Sequence, residues 1–156
     1  MSMYLALDPG LTTGVAYYET ADRAGQPSKF SSFECEGRYE LYEYLCVRWG
    51  FGGSLPYPSC DAVIIERWDV RKNTHQLSNQ DDVRYIIGYG DGILHRTEGV
   101  EYVEQRPAEA KSFGTDAKLK KLGWFTGGAG HADDAARHLL VYLAKAKVSD
   151  VIERLV

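Results

Sequence analysis

The stretch Tyr4-Leu5-Ala6-Leu7-Asp8-Pro9-Gly10-Leu11-Thr12-Thr13-Gly14-Val15-Ala16-Tyr17-Tyr18 decides the fold. An apolar run climbs to a single carboxylate. A Pro-Gly turn follows, and a second apolar run leaves in the other direction. The pattern predicts a buried strand, a tight turn and an antiparallel partner strand. Asp8 stands at the mouth of the turn. A carboxylate at the end of an apolar strand is costly unless it is solvated or paired. A hard cation would remove that cost by taking its oxygens. Gly10 and Gly14 leave room for a ligand backbone to come close. Asp also starts turns with no ligand at all, so this stretch alone leaves both roles open.

Outward from it, Met3–Leu7 reads as strand one and Val15–Glu19 as part of strand two. Ala21–Ser28 is a polar loop, and Phe30–Cys35 alternates like a third strand. Three antiparallel strands in a row make a meander. Gly37–Trp49 has helical spacing of Tyr39, Leu41, Tyr42, Leu45 and Cys46. Gly50–Ser59 is a Gly- and Pro-rich loop. Asp61–Glu66 is a second apolar strand that ends in an acid, and the polar segment Arg67–Gln80 after it reads as a loop. Asp81–His95 is a helix with Val83, Ile86, Ile87, Gly90 and Leu94 on one face. Val100–Glu104 is a third apolar strand. Arg106–Lys111 reads as a strand-to-helix turn with Pro107 in the first helical turn. Lys111, Lys118, Lys120 and Lys121 make the next segment basic. After a glycine-rich loop over Phe125–Gly130, His131–Lys147 is a long Ala- and Leu-rich helix. Antiparallel strands lead and βαβ units follow, so the fold class is α/β, a mixed five-stranded sheet flanked by helices.

A length of 156 residues suits one domain over residues 1–156 with a single sizeable core. With 44% hydrophobic and 26% charged residues, the composition is that of a soluble globular protein. No apolar run is long enough to span a membrane, and no signal-peptide pattern opens the chain. A cytoplasmic location is expected. Cys35, Cys46 and Cys60 cannot all pair within one chain and none forms CxxC, so reduced thiols are expected. The net charge of −4 argues against non-specific coating of nucleic acid but leaves room for a local basic groove.

The acids carry the chemistry. Asp8 and Glu66 end parallel strands and so reach the same edge of the sheet. His131 and Asp134, three apart at a helix start, can face one point. Asp133 lies roughly 160° from His131 at about 100° per residue, so Asp134 is the better ligand. Several carboxylates around one point need a compensating cation. Two Mg²⁺ ions roughly 3.5–4 Å apart, with Mn²⁺ as substitute, would suit phosphodiester hydrolysis. Singly, His131 and Asp133-Asp134 also fit ordinary residues of a first helical turn. Glu66 is less ordinary, because Glu is depleted at the end of a buried Val-Ile-Ile run.

These blocks resemble a family. Leu5-Ala6-Leu7-Asp8-Pro9-Gly10 with Gly14, Ile64-Ile65-Glu66 and His131-Ala132-Asp133-Asp134-Ala135 are similar to the three signatures of RuvC-type Holliday-junction resolvases. The resemblance implies a ribonuclease H-like fold and a metal-dependent endonuclease acting on branched DNA. It implies metal and catalytic roles for Asp8, Glu66 and Asp134, with His131 in the family's fourth position. Arg106-Pro107 to Lys111 resembles the family's Pro-x-x-x-Lys segment, which implies a phosphate contact for Lys111. Lys72-Asn73 is similar to a basic-Asn pair after the catalytic Glu, and Trp68 stands near the family's aromatic wedge. Trp68, Arg71, Lys72, Asn73, Lys118, Lys120 and Lys121 are the remaining candidate DNA contacts. The resemblance also implies a homodimer on the Asp81–His95 helix. Small phage proteins are similar to RuvC too, and some prefer flaps or splayed arms. A nuclease on RNA–DNA hybrids and a nucleotide-binding domain of the actin and sugar-kinase type are the rivals. The latter usually needs two such domains and a second phosphate loop.

Overall fold

In the computed structural model, which describes residues 1–21, 25–48, 60–67, 84–88, 92, 99–127 and 130–156, the opening stretch forms two paired strands. They are β1 (Met3–Asp8) and β2 (Thr12–Glu19), antiparallel, with Asp8 opposite Gly14. β3 (Lys29–Glu36) pairs antiparallel with β2, placing Glu34 opposite Gly14. β4 (Ala62–Glu66) pairs parallel with β1, and β5 (Glu101–Gln105) pairs parallel with β4. The sheet order is β3-β2-β1-β4-β5. This is the expected mixed sheet of the ribonuclease H-like fold. β2 starts at Thr12, earlier than the Val15 expected, because Thr12–Gly14 find partners in Glu36–Glu34.

Side chains alternate across the sheet and divide the core in two. Leu5, Leu7, Val63 and Ile65 enter one cluster, while Ala6, Ala16, Ala62 and Ile64 enter the other. The first cluster is covered by α1 (Gly37–Glu43), by a π-helical segment Tyr44–Arg48 and by α2 (residues 84–88). The expected helix over Gly37–Trp49 therefore changes type at Tyr44. The wider turn lets Leu45 and Cys46, adjacent in sequence, both enter the core.

The second cluster is covered by α5 (His131–Lys145), through Ala135, Ala136, Leu139, Leu140 and Leu143. Small residues on the sheet let this helix come close. At Gly14 the approach is extreme, since a Cβ there would stand 1.9 Å from the His131 carbonyl oxygen. The basic segment holds two short helices, α3 (Pro107–Phe113) and α4 (Asp116–Leu122). Gly114 separates them where a Cβ would meet Arg137 Cβ at 2.8 Å, and Thr115 caps α4 by accepting from Lys118 N. α5 stops at Lys145, short of the expected Lys147, whose φ is 56°. A further helix, α6 (Ser149–Leu155), follows and was not expected.

One expectation is corrected. The apolar stripe of Asp81–His95 puts Ile86 at the centre of a dimer face, but Ile86 is 4% exposed and packs in this chain's own core with Leu41 and Leu45. An apolar stripe on a helix serves its own sheet as readily as a partner. Val83, Gly90 and Leu94 lie outside the described residues. Among the described residues no helix is long and apolar enough to cross a membrane.

Candidate functional site

The register of the sheet builds one row across its edge. Glu34, Gly14 and Asp8 are successive partners on β3, β2 and β1, and Glu66 pairs with Gln105 on β4 and β5. Alternation puts this row on the face that α5 covers. The helix crosses the row from its first turn inward. His131, Asp134 and His138, spaced three and four apart, share one stripe of α5.

Each acid meets a nitrogen partner there. His131 Nδ1 lies 2.7 Å from Asp8 Oδ2. His138 Nε2 lies 2.8 Å from Glu66 Oε2, and its Nδ1 lies 3.1 Å from Gln105 Oε1. Arg137 Nη1 donates to Asp134 Oδ1 at 2.6 Å, and Lys111 Nζ stands 3.3 Å from Asp134 Oδ2. Arg137 also bonds Asp116, which ties the start of α4 to Asp134. Asp8 is nearly buried, and its carboxyl is pushed up from 3.8 to about 6. Burial is the largest cause, and the charge of Glu66 comes next. Asp134 adds to the rise, while the bond to and charge of His131 oppose it.

Asp133 has a different task. It is fully buried and accepts from Thr126 N and Oγ1, both at 2.8 Å, and from Gly127 N at 3.2 Å. It pins the segment before α5, while Asp134 beside it stays near Asp8. Asp134 instead meets Arg137 and Lys111. Lys118 sits 3.6 Å over the Phe113 ring and Lys120 sits 4.5 Å over Phe125, whereas Lys121 donates to the Leu155 carbonyl on α6. Trp68, Arg71, Lys72 and Asn73 lie outside the described residues.

Four residues at the site were missed in the sequence. His138, Arg137, Gln105 and Glu34 all touch it, Glu34 by accepting weakly from Ala132 N at 3.4 Å. Only His138 carried a signal, its spacing of four from Asp134. Among the described residues, no group of three or more His, Cys, Asp or Glu side chains is placed to hold a metal ion. The donor set nonetheless suits a hard divalent cation, being carboxylate oxygens with one imidazole. Burial first, and then the charges of Glu66 and Asp134, raise the Asp8 carboxyl, and a bound cation would relieve that cost.

No family profile and no curated protein matches the chain. Among solved structures, T. thermophilus RuvC in complex with a Holliday junction substrate matches with a TM-score of 0.63 at 13% identity. The match covers 96% of this chain and 97% of that one. This chain has the RuvC-type resolvase fold. A Thermus thermophilus RuvC structure matches with a TM-score of 0.60 at 14% identity, covering 94% of this chain and 96% of that one. The yeast mitochondrial Holliday junction resolvase Ydc2 matches with a TM-score of 0.52 at 11% identity, over 99% of this chain and 80% of that one. At such identities the likeness is one of fold. Within this RuvC-type fold, Asp8 and Glu66 end β1 and β4, and Asp134 stands in the first turn of α5.

Proposed function

We propose that the protein is a metal-dependent endonuclease that hydrolyses phosphodiester bonds in branched DNA, a four-way junction first and a flap or splayed arm next. The observation that carries this reading is the buried Asp8 at the end of β1, with Glu66 at the end of the parallel β4; burial first, and then the charges of Glu66 and Asp134, lift its carboxyl to about 6. The RuvC-type fold supports it, since one structure of that fold holds a Holliday junction substrate.

Mg²⁺ or Mn²⁺ held by Asp8, Glu66 and Asp134 would supply the Lewis-acid charge that an in-line displacement at phosphorus needs. Asp8 accepts from His131 Nδ1 and so sets the ring with Nε2 as its outward nitrogen. That nitrogen can take a proton from an attacking water or orient a phosphate oxygen. Gly10 keeps this edge of the ring open, because a Cβ there would approach His131 Cε1 to 3.2 Å and Nε2 to 3.5 Å. Lys111 holds an ammonium beside Asp134, where an incoming phosphate can compete for it. Lys118 and Lys120, with Arg71, Lys72 and Asn73 of the segment after β4, would hold DNA largely through its backbone, and Trp68 would stack on bases at the branch point. Lys121 would have to leave the Leu155 carbonyl to do so.

Symmetric cutting of a four-way junction needs two sites related by a two-fold axis, so a homodimer belongs to this reading. Its contact must exclude Ile86. Light scattering of the protein free and on junction DNA measures the assembly. The function itself is tested by incubating end-labelled four-way, flap, splayed-arm and duplex DNAs with Mg²⁺, Mn²⁺ or EDTA. Branched substrates should be cut with either metal and spared in EDTA. Cleavage that persists in EDTA, or that favours plain duplex, would overturn the proposal.

A further inference from the structure

Helix α5 spends one of its core positions on a polar ring. Its inward residues Ala135, Ala136, Leu139, Leu140 and Leu143 are apolar and fully buried, and His138 among them is fully buried too. An apolar side chain would fill that place without any polar group to satisfy. Instead both ring nitrogens are engaged, Nε2 with Glu66 Oε2 at 2.8 Å and Nδ1 with Gln105 Oε1 at 3.1 Å. Gln105 is itself 3% exposed, so the pair stands behind the carboxylate and away from solvent.

The chemistry sets the direction of the chain of bonds. An ionised carboxylate only accepts, so Nε2 carries the proton donated to Glu66. The Gln105 amide can turn either its oxygen or its nitrogen toward Nδ1, and so satisfies that nitrogen in any tautomer. The bond at Oε2 fixes the rotation of the Glu66 carboxylate and still leaves it acceptor capacity for a ligand.

We infer that His138 and Gln105 are positioning residues for Glu66, a buried relay that fixes the carboxylate in the orientation needed to bind the divalent cation. This rests on the metal-dependent reading above. Neither residue touches substrate. Partners behind a ligand that fix its orientation typically change metal affinity by roughly 10–100-fold when removed.

The test is a calorimetric titration of the DNA-free protein with Mn²⁺, run where circular dichroism shows each variant folded. His138→Leu should weaken Mn²⁺ binding by roughly 10–100-fold. His138→Gln, whose terminal amide can still donate to Glu66, should recover most of the loss. Gln105→Leu leaves the ring in place and should give a smaller loss in the same direction. In junction cleavage, the Mn²⁺ concentration for half-maximal rate should rise in the same order, with the rate recovering at saturating Mn²⁺. If His138→Leu does not fold, the contrast of His138→Gln with Gln105→Leu carries the test. Unchanged Mn²⁺ affinity in folded His138→Leu or, failing that, in Gln105→Leu overturns the relay. A wild-type protein that binds no Mn²⁺ overturns the metal-dependent reading itself.

Discussion

Two carboxylate–histidine pairs flank the site, and their exposures are opposite. In Asp8–His131 the carboxylate is 7% exposed and the ring 47%. In Glu66–His138 the ring is 1% exposed and the carboxylate 20%. The contacts are 2.7 Å and 2.8 Å, so bond length does not distinguish the pairs. Burial does. The partner held in the core is the fixed one, and the partner near solvent is the more accessible one. The first pair presents a histidine and the second presents a carboxylate. Both histidines come from α5, one in its first turn and the other two turns further, where the helix is enclosed.

The comparison breaks most visibly at the acids. Asp8→Asn and Glu66→Gln keep shape and lose charge. Each should lower cleavage by about 10³-fold or more, since several kcal/mol of charge stabilisation go with the cation. Binding of branched DNA in gel shifts should stay near wild type. Near-normal cleavage by either variant would remove that acid from the chemistry.

His131→Ala should cost about 10²-fold in rate, the low end for a proton-transfer group. Its melting temperature should fall only modestly, because the ring is half exposed although the buried Asp8 carboxylate loses its partner. His138→Leu should show the reverse balance, with a larger shift in melting than in the rate at saturating metal. Equal behaviour of the two histidines in paired melts and kinetics would dissolve the distinction.

The buried carboxylate of the first pair also predicts a pH dependence. Folding raises the Asp8 carboxyl from 3.8 to about 6. The native state therefore binds more protons than the unfolded chain between these values, and stability falls as pH rises through that window. In EDTA at pH 7, Asp8→Asn should stabilise the protein by up to about 3 kcal/mol. The gain should vanish near pH 4. Denaturant melts at pH 4 and pH 7 measure it, and a gain that grows toward acid would reverse the sign.

Neighbouring aspartates give a smaller contrast. Asp133→Asn should lower stability by about 1–3 kcal/mol, since it disturbs a buried acceptor of three hydrogen bonds. Cleavage well below its melting temperature should survive. Asp134→Asn should melt nearly as wild type and cleave poorly. The reverse pattern in melts and rates would mean that α5 is read in the wrong register. Smallest of all, Lys118→Ala with Lys120→Ala should weaken every DNA substrate alike. The salt slope should drop by about one for each phosphate that is no longer neutralised. A loss confined to one DNA shape would make these lysines readers of geometry.

Asp8 and Glu66 were legible in the sequence because acids at the ends of apolar strands are out of place. The sheet was legible in the apolar runs of β1, β2 and β4 and in the alternation of β3. α4 and α6 were not, since a seven-residue helix burying only Leu119 and Leu122, or only Val151, is too short for periodicity to register. His138 was hidden because a histidine in an Ala- and Leu-rich helix does not announce its partner. Glu34 and Gln105 became site residues only through strand register, which the sequence does not state. Ile86 misled because a stripe for a partner and a stripe for the chain's own sheet have the same spacing.

The central claim is that Asp8, Glu66 and Asp134 form one cation site. An anomalous difference map from crystals soaked in Mn²⁺ tests it most directly. The expected result is density ligated by oxygens of Asp8 and Glu66 and reached by Asp134, with Lys111 displaced from Asp134. Strong density elsewhere on the molecule with none among these three carboxylates would contradict it.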